Sequence, residues 1–134
     1  MAIQDQIYQA TTNDIRISVT SRYEAKDSKP DIGQFIYSYT ITIENLGSRT
    51  VRLLSRHWRI LDSTQEFREI RGEGVIGKQP TLKPNEGFQY MSWSPLNSAM
   101  GKMMGTFLFE DIDDNITFEV EIPAFRLTAD FVLN

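Results

Sequence analysis

Three glycines within six residues form the part of this sequence most suggestive of ligand chemistry. Gly72, Gly74 and Gly77 have the spacing G-x-G-x-x-G. In dinucleotide-binding folds this spacing joins a strand to a helix whose N-terminal amides hold a pyrophosphate. Here Pro80 and Pro84 follow closely, and two prolines so near each other exclude a helix of useful length. The dinucleotide-binding interpretation is therefore rejected.

Two other interpretations of the glycine segment stay open. One is structural: a loop whose backbone needs positive φ angles or close packing. The other is chemical: a nest of backbone amides that binds an anion without a helix, aided by the two basic residues that flank the glycines. The residues of this candidate anion loop are Arg71, Gly72, Gly74, Gly77 and Lys78.

An acidic turn is the second candidate site. Asp111, Asp113 and Asp114 supply carboxylates at close spacing, as at the start of a calcium-binding loop. In an EF-hand the sixth position is Gly and the twelfth is Glu, whereas here they are Ile116 and Ile122. The EF-hand pattern fails twice. A weak magnesium or cobalt contact and a solvated hairpin turn are the two remaining interpretations.

Catalytic chemistry has little support in the sequence. His57 is the one histidine and there is no cysteine, so neither a usual zinc site nor a thiolate site can be assembled. No G-x-S-x-G motif accompanies the histidine, which we expect on a strand surface beside Arg56 and Trp58. We expect no cofactor and no enzymatic activity.

Methionines and one tryptophan are a third point of interest, because Met-rich surfaces adapt to protein partners. A partner surface and ordinary core packing are both compatible with the sequence. The residues concerned are Met91, Trp93, Met100, Met103 and Met104.

The elements that must position these residues are strands. Apolar residues alternate with polar ones from Ile15 to Val19, from Phe35 to Ile43 and from Ile116 to Ile122, which is typical of half-buried strands. The segment 50–62 carries apolar residues on both faces, and 100–110 predicts a strand with a bulge or close backbone approach at its glycines. We expect Pro95 and Pro123 to end their strands.

About seven such strands, short connections and no helical periodicity predict an all-β sandwich of immunoglobulin or fibronectin type III. Residues 1–13 are predicted to be a flexible lead, and 14–134 the domain. Phe131 to Leu133 make the tail apolar enough to dock on the sandwich or on a partner. Exposed sheet edges could pair into a homodimer.

The composition restricts the class of protein further. The chain has 134 residues, a net charge of −4 and no cysteine. The acidic balance argues against nucleic acid binding, which needs clustered lysine and arginine. No apolar run is long enough to span a membrane, and the first residues do not have the pattern of a secretory signal. We expect a cytoplasmic protein.

Several stretches, in this order and spacing, make the sequence resemble the ApaG family. They run from about residue 14 to the end and comprise 39–47, 51–60, 72–80, 101–105 and 122–127. The sequence departs from the family at 84–87 and at 93–99.

The resemblance implies a fibronectin-III-like sandwich and an association with cobalt resistance and magnesium efflux. It also implies a protein-interaction role, as in eukaryotic proteins that carry the domain. We therefore expect a binding or adaptor domain that acts through a protein partner. The alternative is a sensor that binds a nucleotide or pyrophosphate at the glycine loop, with or without Mg²⁺ or Co²⁺.

Overall fold

The computed structural model describes residues 6–133 as a sandwich of two antiparallel sheets, which confirms the predicted fold class. Nine strands occur in this range, against the seven or so expected, because two short ones were not recognised. The strands are β1 (Tyr8–Thr12), β2 (Ile15–Tyr23), β3 (Phe35–Asn45), β4 (Val51–Asp62), β5 (Phe67–Glu73), β6 (Thr81–Leu82), β7 (Gly87–Leu96), β8 (Met100–Asp111) and β9 (Ile116–Thr128).

The first sheet has the order β1-β2-β3-β7, and the second has the order β5-β4-β8-β9 with β6 paired to β4. The helical segments in the described part of the chain are three short 3₁₀ turns, at Ala25–Asp27, Pro30–Ile32 and Asp130–Leu133. No helix among residues 6–133 is long and apolar enough to cross a membrane.

A β-bulge at Leu54 explains why β4 looks apolar on both faces. The register with β8 shifts between Leu53 and Ser55. Because the side-chain period of a strand is two, one extra residue moves every later side chain to the opposite face. Leu53 before the bulge and Trp58 after it are therefore both buried in the same core. The apolar residues that the sequence places on both faces of residues 50–62 therefore lie on one buried face that the bulge interrupts.

Both prolines that we expected to end strands lie inside them. β9 continues past Pro123 because its register with β8 shifts between Met103 and Gly105, and Pro123 occupies this bulge. β7 continues to Leu96 past Pro95, since β7 is an edge strand that can accept a proline on its open side. The close approach expected in β8 is present: a Cβ on Gly105 would lie 2.2 Å from the His57 carbonyl oxygen.

The core lies between the sheets and is centred on aromatic rings. Trp58 is 2% exposed. Its ring packs edge-on against Tyr39 at 5.4 Å and against Phe125 at 5.9 Å between centroids. On one side the sandwich is closed, since β9 packs against β1 and β2 and the Ser21 hydroxyl donates to the Arg126 carbonyl. The arrangement holds β4, and with it the glycine segment, in a fixed frame.

The N-terminal end of the described chain differs from the expectation, whereas the C-terminal end agrees with it. Residues 8–12, expected in the flexible lead, form β1 and pair with β2; residues 1–5 of that lead lie outside the described residues. The strand escaped notice because Tyr8, Ala10 and Thr12 give only a short and weak alternation. The tail docks on the sandwich, where the Phe131 ring contacts the Tyr23 ring edge-on at 6.0 Å.

Candidate functional site

The glycine segment leaves β5 and closes in a two-residue turn. The Val75 N–H donates to the Lys78 carbonyl at 2.8 Å, and the Lys78 N–H donates back at 2.9 Å. Ile76 and Gly77 between them have φ angles of 44° and 76°. A type I′ turn requires positive φ at both central residues, so this is a tight hairpin rather than the start of a helix.

The loop is fastened to the bulge of β4. The Gly74 N–H donates to the Leu54 carbonyl at 2.8 Å, and the Gln79 side-chain amide donates to the same oxygen at 2.9 Å. Val75 is fully buried beneath the turn. The bulge thus turns a carbonyl group toward the loop, and two donors of the loop satisfy it.

Arg56 ties down the loop from below, and sequence reasoning did not identify it. Its guanidinium donates to the carbonyl oxygens of Glu73 and Gly74, both at 2.9 Å. Burial raises the pKa of Tyr39 and of Tyr90, and the positive charge of Arg56 works in the opposite direction on both. Had the bulge at Leu54 been known, the strand period would have placed Arg56 on the inner face.

Each glycine of the motif has its own structural reason. A Cβ on Gly72 would lie 2.7 Å from a guanidinium nitrogen of Arg56. A Cβ on Gly74 would lie 2.1 Å from the Lys78 carbonyl oxygen, and its φ is also positive at 60°. Gly77 has open space around it but needs its positive φ for the turn.

The candidate anion loop is therefore built differently from a phosphate cradle. The amides of Gly74, Val75 and Lys78 donate to carbonyl groups of the chain itself. Lys78 is exposed at the end of the turn. Arg71 stands on β5 opposite His57, with its guanidinium 3.8 Å from a Glu69 carboxylate oxygen.

A shallow cleft of about 390 Å³ lies beside the loop on the outer face of the second sheet. Its walls carry charges of both signs, so no single charge of ligand is favoured by Coulomb attraction. The side chains that line it include Ser55, His57, Arg71, Thr106, Leu108 and Glu119.

His57 lies on this outer face, as expected, and contacts an acid. Its Nε2 is 3.4 Å from Glu69 Oε2, which is long for a bond that orients a catalytic imidazole. No hydrogen bond between a serine hydroxyl and the imidazole occurs among residues 6–133. Within the same range there is no group of three or more His, Cys, Asp or Glu side chains that could hold a metal.

The acidic turn uses its carboxylates on its own backbone. Asp111 is buried, and its Oδ1 accepts the N–H groups of Asp113 and Asp114 at 3.0 and 3.1 Å. Asp114 forms an ion pair with Arg49 at 2.6 Å, and Asp113 accepts the Thr50 N–H. The three carboxylates thus close a hairpin rather than converging on one point.

The third set of candidates separates by face. Met103 is buried in the core, whereas Met91, Trp93 and Met100 are exposed. Met91 and Trp93 both lie on the outer face of β7, separated by Ser92, and β7 forms an edge of the first sheet. Part of the methionine set is therefore available to a partner.

Comparisons with known proteins agree with one another. The model of the ApaG domain matches residues 25–111. A Protein ApaG of Methylobacterium radiotolerans is 43% identical over 126 residues, which are 94% of this chain and 96% of that protein. A Protein ApaG of Parvibaculum lavamentivorans is 44% identical over 123 residues, which are 92% of this chain and 94% of that protein.

Solved structures extend the agreement to the fold. The ApaA protein from Bordetella pertussis has a TM-score of 0.85 at 41% identity, over 87% of this chain and 94% of that one. The C-terminal domain of wzt has a TM-score of 0.55 at 8% identity, over 92% of this chain and 78% of that one, and shares the fold alone.

Proposed function

The chain belongs to the ApaG domain family, and we propose that it is a non-enzymatic binding domain that recognises a protein partner through its glycine loop. Any effect on cobalt resistance or magnesium efflux, which the family resemblance implies, is then exerted through that partner. In this proposal the role of the two sheets is to hold one small turn rigidly in front of the partner.

Ile76 is the single observation that carries the proposal. It stands at the tip of the turn with φ 44° and is 54% exposed. A β-branched residue rarely adopts a positive φ, because its side chain then crowds the backbone. Asn or Gly would satisfy the same turn without strain. Strained residues cluster at sites of recognition, where the surrounding structure enforces them.

The construction beneath Ile76 supports a role in recognition. Arg56, Leu54 and the Val75–Lys78 pair fix the loop from three directions. A loop whose backbone is already held in place loses little conformational entropy on binding, which favours affinity. Lys78 adds an exposed positive charge beside the tip, suited to an acidic group on the rim of the partner surface.

A site-specific photo-crosslinker tests the proposal in living cells. Ile76→p-benzoylphenylalanine should give a discrete covalent adduct of higher mass, because a partner seated on the turn would lie within reach of the probe. Ile116→p-benzoylphenylalanine is the matched control, since Ile116 is 57% exposed in the hairpin that also contains the acidic turn. Adducts of equal yield from both positions, or none from Ile76, would refute a partner at the loop.

A further inference from the structure

β7 is an edge strand whose main chain is open on one side. It ends the order of the first sheet, and β3 is its neighbour there. The Pro95 carbonyl oxygen points away from β3, because it accepts a hydrogen bond from the Arg68 guanidinium at 2.6 Å. In an antiparallel strand, alternate residues direct N–H and C=O to the same side. Gln89, Met91 and Trp93 therefore direct theirs outward as well.

Apart from the Arg68 guanidinium at Pro95, the open side of β7 lacks, among residues 6–133, the protection that the other edges have. Exposed edges are normally guarded by charged side chains or covered by another element. β1 is covered by packing against β9. No charged residue occurs between Glu86 and Lys102, a stretch that includes all of β7. By contrast, β5 carries Arg68, Glu69, Arg71 and Glu73, and β9 carries Glu119, Glu121 and Arg126.

We propose that β7 pairs antiparallel with β7 of a second copy of this chain, so that the first sheet continues through a homodimer. β7 has no charged side chain of its own, so its residues 87–94 meet no like-charge repulsion when two copies face each other. The Arg68 guanidinium lies at Pro95, where the paired stretch ends. Met91 and Trp93 are 54% and 49% exposed on the outer face of β7. Pairing would remove part of their apolar surface from contact with water, which is favourable. This surface is distinct from the glycine loop, and the inference does not depend on the proposed function.

The sequence of β7 selects one register. With Met91 opposite its own copy, Gln89 lies opposite Trp93, and Gly87 lies opposite Pro95. All of these residues direct their main-chain groups outward, so their N–H and C=O groups meet in hydrogen-bonded pairs. Pro95 has no N–H, and its carbonyl oxygen already accepts a hydrogen bond from Arg68. The ladder of hydrogen bonds between the two copies of β7 therefore stops at Pro95. The small Gly87 leaves room for the proline ring.

The absence of cysteine from the sequence makes this register testable with single-cysteine variants. In Met91→Cys the two thiols face each other, with Cα atoms about 5.5 Å apart, which is within the range of a disulfide. We expect the purified variant to form a disulfide-linked dimer under mild oxidation. In Gln89→Cys the two copies are offset by about 14 Å along the strand and should not link. Phe67→Cys measures the background of random collisions, since Phe67 is similarly exposed and lies on β5, an edge strand of the second sheet.

Sedimentation of the unmodified chain provides a second, independent measurement. We expect a dimer whose population rises with concentration between about 1 µM and 1 mM. Met91→Lys should raise the dissociation constant at least about tenfold, because it places two like charges opposite each other. Phe67→Lys should leave the dissociation constant unchanged, and circular dichroism of each variant verifies that it is folded.

Three results would overturn the proposal. One is a monomer at all concentrations tested, together with a Met91→Cys variant that forms disulfides no faster than Phe67→Cys. The edge would then be available only to a strand of another protein. Another is a dimer that Met91→Lys does not weaken. The third is equal linking of Gln89→Cys and Met91→Cys, which would exclude the register. None of these results affects the crosslinked adduct expected at Ile76. The homodimer through β7 and the partner at the glycine loop can therefore be refuted independently.

Discussion

Gly74 and Gly77 are equivalent in the sequence motif, yet the structure makes different demands on them. Gly77→Ala adds a side chain into open space and forces only a positive φ, which costs about 1 kcal/mol. Gly74→Ala also drives its Cβ into the Lys78 carbonyl oxygen, and we expect a loss of about 3 kcal/mol or more. Urea unfolding of both variants measures the difference. Equal losses would contradict the close approach at Gly74.

Substitution of Ile76, unlike that of the glycines, should stabilise the protein. Ile76→Asn relieves a β-branched residue at positive φ, so we expect the free energy of unfolding to rise by about 1 kcal/mol. Ile112→Asn is the control, because Ile112 is also exposed in a turn but has no positive φ. It should change stability by less than about 0.5 kcal/mol. If Ile76→Asn proves destabilising, the turn does not hold Ile76 under strain.

At this scale the sequence predicted which residues matter better than it predicted why. The glycines were found from their spacing, and a structural role was one of two interpretations. Arg56 was missed because its partners are carbonyl groups of residues 73 and 74, and main-chain acceptors leave no trace in a sequence. The carboxylates of the acidic turn were found, but their hydrogen bonds to their own backbone were not predictable from composition.

At the scale of elements, a carboxylate clamps two connections together. Asp62 at the end of β4 is buried, and it accepts the N–H groups of Asn97 at 2.6 Å and Thr64 at 3.2 Å, and the Ser98 hydroxyl. It thereby joins the β4–β5 turn to the β7–β8 turn. Burial by itself raises the pKa of Asp62, but these hydrogen bonds together outweigh it and hold the pKa below its ordinary value.

The clamp predicts a pH dependence of stability. A carboxyl group whose folded pKa is depressed contributes stability above its unfolded pKa of about 3.9 and loses it as pH falls through the folded pKa. Asp62→Asn should therefore lower the free energy of unfolding by about 2 kcal/mol at pH 7, and the gap should shrink below about pH 4. Denaturant unfolding from pH 3 to pH 7 measures it, with the exposed Asp31→Asn as the control. A gap independent of pH would contradict the clamp.

Alternation of apolar residues was enough to predict the long strands, but not their interruptions. Leu54 and Pro123 each occupy a bulge that reverses which face is buried, and a bulge is set by the neighbouring strand rather than by local sequence. For the same reason Pro95 and Pro123 did not end their strands. An edge position or a bulge removes the need for the missing N–H, and neither is visible before the sheet order is known.

At the scale of the whole molecule, the sandwich is asymmetric. One side is closed by β9 against β1 and β2, and the other presents β5 and β7 with the glycine loop nearby. The fold class followed from turn spacing, the absence of helical periodicity and a recognisable family resemblance. The sheet order, and therefore which edge is open, required the structure, because it depends on pairings between residues far apart in sequence.

The first measurement concerns the glycine loop, because we propose that its Ile76 tip contacts a protein while the amides of Gly74, Val75 and Lys78 donate to carbonyl groups of the chain itself. We would record ¹⁵N–¹H NMR spectra during titration with ATP, pyrophosphate, Mg²⁺ and Co²⁺, singly and combined. We predict that the amide signals of Gly74, Val75 and Lys78 stay in place at millimolar ligand, because these amides already donate within the chain. Saturable shifts centred on residues 72–78 would contradict it and establish the loop as an anion-binding site.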